Sequence, residues 1–157
     1  MLSPTVIFGI ALIAVASAFP QPNAGTIAAR AGGPAIVPVP SSCSVNSPLP
    51  TPADSSYLPA PATDGDILYS AFYPSYTTNK TEMAENCLFQ CYGYGNHTEC
   101  KTAYWAENVP TPSGYYGTPG GDLSTACIFF TRPLSASDFV VAPVGQATDA
   151  YAGNIAC

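Results

Sequence analysis

The chain has 157 residues and carries 10 acidic against 4 basic side chains, a net charge of -6, with only 9% of residues charged. No Lys/Arg cluster occurs anywhere along it, so phosphate backbones and anionic membrane surfaces would repel it, and nucleic acid is excluded as a partner. Its 17 prolines and 13 glycines, with abundant Ser and Thr, suit a glycosylated extracellular protein better than a cytosolic enzyme.

The first element in chain order is an apolar run, Val6 to Val15, followed by Ala16-Ser17-Ala18, an A-x-A cleavage pattern. Residues 1–18 therefore read as a signal peptide, although its start carries no Lys or Arg. A membrane anchor is the alternative, but the run is shorter than the ~20 residues a spanning helix needs and is bracketed by Pro4 and Pro20. The expectation is a secreted protein with no membrane insertion after cleavage, in a compartment where paired cysteines are the default. Residues 19–42 are rich in Ala, Gly and Pro without an apolar periodicity, which predicts a flexible leader ahead of a single domain at 43–157. Arg30, alone in IAARAGG, is either a pro-segment cleavage point or an incidental basic residue.

Six cysteines follow, at 43, 87, 91, 100, 127 and 157. An even count leaves no thiol without a possible partner, and fifteen pairings are formally open. The chain holds one histidine, His97, and no C-x2-C pair, so neither a metal site nor a cofactor is expected. From Cys43 through SPLPTP to Pro61 the missing N–H groups disfavour a helix interior or a central strand, and an extended path is expected. Asp66 to Tyr73, bounded by Asp64-Gly65 and Pro74, reads as the first strand.

A helix of about two to three turns comes next, with Thr81 as N-cap and Asn79 as its rival. Glu82 and Glu85 lie in its first turn, where the dipole favours negative charge. Met83, Cys87, Leu88 and Cys91 share one face, and Tyr92-Gly93-Tyr94-Gly95 ends it. Asn79-Lys80-Thr81 and Asn96-His97-Thr98 are glycosylation sequons on either side, so Asn79 and Asn96 are candidate glycan carriers and His97 an exposed loop residue.

Cys100 leads a strand-like run, Lys101 to Trp105. Residues 106–124 read as a long Gly/Pro loop holding Tyr115 and Tyr116, and long loops are either functional or disordered. Thr125 to Thr131 has apolar residues on both faces: Thr125, Cys127 and Phe129 on one, Ala126, Ile128 and Phe130 on the other. That predicts a central strand. Ser135 to Asp138 reads as a turn, Phe139 to Ala142 as a strand, and Asn154 to Cys157 as a last short strand whose terminal cysteine is tied down.

Cys43, the helix pair Cys87-x3-Cys91, Cys100 before CKTAYW, Cys127 inside ACIFF and the terminal Cys157 together resemble the PAN/apple family, in the small secreted cysteine-rich form found in fungi. The resemblance spans residues 43–157. It implies an α+β fold, an antiparallel sheet of about five strands with one helix packed across it. It also implies a first cysteine bonded to the last, a helix tied to the central strands, and binding of protein or carbohydrate. With the stacked helix cysteines, and Cys91 on the turn nearest Cys100, the expected pairing is Cys43–Cys157, Cys87–Cys127 and Cys91–Cys100. The Pro-rich stretch before Cys87 and the Gly/Pro insert before Cys127 are longer than usual in the family, so no binding residue carries over.

A domain of about 115 residues with this much Pro and Gly has few regular elements to bury against one another. In loop-entropy terms each bridge is worth ~2 to 5 kcal/mol, against a net stability of about 5 to 15 kcal/mol. The function expected is a monomeric extracellular recognition module for glycan or protein, at a cell wall or host surface. A structural wall protein without a discrete ligand is the alternative. A small secreted hydrolase is a weaker one: no G-x-S-x-G or H-E-x-x-H occurs, and Glu82, Glu85 and Glu99 read as surface carboxylates. Trp105, Tyr115 and Tyr116 are the candidate ligand-binding residues, because amphipathic rings give large contact area at small entropic cost.

Overall fold

A computed structural model describes residues 33–52 and 56–157. The expected signal peptide, the leader up to residue 32 and Arg30 lie outside the described residues. Seven strands and one long helix follow in the order β1 (Ser44–Asn46), β2 (Tyr57–Pro59), β3 (Ile67–Tyr73), α1 (Lys80–Tyr92), β4 (Thr102–Pro110), β5 (Leu123–Phe130), β6 (Phe139–Val141) and β7 (Thr148–Ala156). The fold is α+β. Five strands form one antiparallel sheet in the order β1-β7-β4-β5-β3, and β2 pairs with β6 in a separate ribbon. Among the described residues, no helix is long and apolar enough to cross a membrane.

The doubly apolar alternation in β5 explains the two cores. Ala126, Ile128 and Phe130 join Tyr104, Ala106, Tyr57, Leu134 and Phe139 beneath the ribbon. Cys127 and Phe129 join Ala103, Trp105 and Ile155 on the opposite face, where α1 adds Met83, Ala84, Cys87, Leu88 and Cys91. All three expected disulfides are present, Cys43–Cys157, Cys87–Cys127 and Cys91–Cys100. The two that involve α1 fasten it to β5 and to Cys100, two residues ahead of β4.

Several expectations need correction. The helix N-cap is Asn79, whose side chain accepts from the Glu82 N–H at 3.2 Å, and Thr81 lies inside the first turn of a 13-residue helix. β4 runs on to Pro110 and β5 starts at Leu123, so the loop between them is 111–122. β7 starts at Thr148, six residues before the expected strand, across a stretch whose Asp149 and Gly153 are poor strand formers. Nor is the whole of 19–42 a free leader. The Val37 N–H donates to the Phe89 carbonyl at 3.2 Å, Gln90 Nε2 donates to Pro34 O at 3.3 Å, and Val39 packs on the helix-side core. The Pro-rich stretch supplies only β1 at the sheet edge and β2 in the ribbon, as the absence of proline N–H groups requires.

Candidate functional site: a tyrosine surface at the open edge of β3

β3 closes one end of the sheet and pairs only with β5. Its other edge is where the β4–β5 loop returns: the Phe72 N–H donates to the Tyr115 hydroxyl at 3.0 Å, and the two rings meet edge-on with centroids 5.0 Å apart. An otherwise open strand edge is thus capped by a side chain, a common way of blunting such edges. The loop is held by its own bonds. Thr111 N–H donates to Asp122 O, Gly121 N–H to Thr111 O, and Gly114 N–H to Thr118 O. Tyr116 sits at φ 47° and is 90% exposed. A bulky residue rarely adopts this left-handed backbone, so a fixed loop holds its ring out in solvent at some conformational cost.

The same edge carries Tyr69, which packs against Phe129 at 5.0 Å and stands 6.1 Å from the ring of Tyr94, just beyond the end of α1. Burial raises the Tyr69 phenol above its ordinary pKa, and the neighbouring phenols of Tyr115, Tyr116 and Tyr94 raise it further. The tyrosines thus form two pairs along β3, Tyr69 with Tyr94 on the helix-side face and Tyr115 with Tyr116 against Phe72. Beside Tyr69 and Tyr94 lies an open groove of about 340 Å³, completed by Gly33, Pro34, Gly93 and Gly95. A side chain at Gly95, whose φ is +57°, would collide with the exposed Glu99 carboxylate that lies over it.

Trp105 has no place on this surface. It is 1% exposed, packed in the helix-side core, and its indole N–H has no partner among the described residues. β4 is flanked by β5 and β7 and covered on both faces, so Tyr104 and Trp105 are both buried, the former donating to Tyr57 O at 2.7 Å. Of the expected site residues, the structure brings Tyr115 and Tyr116 together and removes Trp105. Sequence reasoning missed Tyr69 and Tyr94. The only available signals were a tyrosine in the first strand and one placed between two helix-ending glycines.

Two ion-pair networks lie elsewhere. Lys80 bridges Glu107 and Asp149, and Arg132 bridges Asp66 and Asp138. A smaller cleft of about 160 Å³ is lined by residues bonded to one another, with Ser75 Oγ 2.7 Å from both Glu107 Oε1 and Thr125 Oγ1. His97 Nδ1 is 2.9 Å from the Tyr92 carbonyl oxygen and its ring stacks on Tyr92 at 4.9 Å, which places it in a loop contact rather than beside a nucleophile. Among the described residues, no group of three or more His, Cys, Asp or Glu side chains is arranged to hold a metal ion. No family model, curated protein or solved structure matches the chain.

Proposed function

We propose that the protein is a secreted, monomeric recognition module of the PAN/apple kind, binding an extracellular glycan or protein at a cell wall or host surface, with no catalytic role. The observation that carries this reading is Tyr116, an aromatic ring 90% exposed on a hydrogen-bonded loop, edge-on to Tyr115 at 4.6 Å. Large rings displayed at fixed positions supply binding area without the entropy cost of ordering long side chains. Three disulfides support an oxidising compartment. Asn79 and Asn96 are exposed and we assign an N-glycan to each. Asn79 caps α1 through its Oδ1, so attachment at Nδ2 leaves the cap intact.

Tyr115 and Tyr116 are not equivalent as test positions, because Tyr115 also holds the edge of β3. Tyr116→Ala is the informative variant. Its melting temperature should match that of the parent, since exposed loop changes are worth less than about 0.5 kcal/mol. Capture on an array of glycans and extracellular proteins should fall about tenfold or more. Equal capture by parent and variant would show that Tyr116 takes no part in binding, and an array on which the parent captures nothing favours a structural protein without a discrete ligand. The same secreted sample, treated with an N-glycosidase, should lose mass in two steps; an unchanged mass removes the glycan assignment.

A further inference from the structure

We infer that the groove between β3 and the turn after α1 is a subsite for one or two rings of an uncharged saccharide, an assignment that rests on the recognition reading above. Size is the first argument. About 340 Å³ is at the lower end of small-ligand sites, whereas a protein partner needs about 800 Å² of surface from each side. Shape is the second. Tyr69 and Tyr94 are braced by Phe129 at 5.0 and 6.0 Å, so their orientation is set before a ligand arrives, and the rest of the lining, Gly33, Pro34, Gly93 and Gly95, brings no further ring or charged side chain.

Chemistry is the third argument. Phenols donate and accept hydrogen bonds while offering a ring face to C–H groups, and the Glu99 carboxylate over Gly95 only accepts, which suits a ligand bearing many hydroxyl donors. Charge is the fourth. Lys80 and Arg132 are each engaged by two carboxylates, the groove lining contains no cation, and the chain carries -6 overall, so sulfated, phosphorylated or carboxylated sugars are disfavoured. Tyr116, outside the groove, extends the surface for longer chains.

The test is isothermal titration of the secreted full chain with neutral trisaccharides of glucose and of N-acetylglucosamine, and with a sulfated trisaccharide. A neutral trisaccharide should bind and the sulfated one should bind at least about tenfold more weakly. Glu99→Ala, at an exposed position outside the core, should weaken neutral binding about tenfold to a hundredfold, as loss of a charged hydrogen-bond acceptor does. Tyr94→Phe should weaken it less, since it keeps the ring and removes only the hydroxyl. Neutral binding that both variants leave untouched overturns the subsite. So does a chain that captures only a protein through Tyr116, a result that leaves the recognition reading standing. Failure of that reading looks different, with no ligand captured on the array by the parent at all.

Discussion

Asp138 shows how much structure one side chain can organise. Both of its oxygens accept from the Arg132 guanidinium, at 3.0 and 2.8 Å, and the Ser135 N–H donates to it at 2.8 Å, while Arg132 Nε reaches Asp66 at 2.7 Å. The fork joins the end of β5, the turn before β6 and the residue ahead of β3. Arg132, and after it the Ser135 amide, hold the Asp138 carboxyl far below its ordinary value of 3.8. Because the folded pKa is the lower one, the stabilisation is fully present above about pH 4 and drains away as the pH falls towards the folded value. Asp138→Asn should therefore melt below the parent at pH 6, with the gap closing as both are taken below about pH 3. A gap that is constant over that range would mean the carboxylate charge contributes nothing.

Among the elements, α1 depends on a segment that looked structureless. Gly93 ends the helix at φ -72°, so its backbone would accept any residue, yet a Cβ there would collide with the Ala35 carbonyl oxygen and press on Val37. Close approach, not conformational freedom, requires glycine. Gly93→Ala should push the 33–39 strip away from the helix and cost about 1 to 3 kcal/mol, the range for overpacking. Hydrogen exchange gives the check: the Val37 amide should lose its protection while amides in the middle of α1 keep theirs, and a Val37 that stays protected would sink the idea. The strip was hidden because a single Val39 contact and two hydrogen bonds leave no periodic trace in an Ala/Gly/Pro stretch. β5 and α1 were legible for the opposite reason, since alternation and the Cys87–Cys91 spacing record which faces are buried. β7 and the end of β4 were not, because register shifts between Trp105 and Glu107 and between Ala106 and Val109 break the alternation. The site was half legible: a Gly/Pro insert advertises Tyr115 and Tyr116, but only the register sets Tyr69 over Phe129, within reach of Tyr94.

For the molecule as a whole, the disulfides divide by position. Cys87, Cys91, Cys100 and Cys127 are 4% exposed or less, sealed between α1 and the sheet, whereas Cys43 is half-buried and Cys157 exposed where β1 meets β7. In loop-entropy terms the bridge spanning 114 residues restrains the unfolded chain most, by about 5 kcal/mol, against about 4 for the separation of 40 and about 3 for that of 9. The most stabilising bridge is thus also the most accessible. Attack on a disulfide needs a thiolate or phosphine to reach a sulfur, so limited reduction followed by alkylation should label Cys43 and Cys157 first. The singly reduced protein should keep its helix and both cores, because the other two bridges fasten α1 independently, but it should melt well below the oxidised form. Peptide mapping decides the order. Labelling of Cys91 or Cys100 before Cys157 would show that α1 lifts from the sheet more readily than β1 leaves its edge, and would reverse the order of local stability in which the sheet edge opens before the helix.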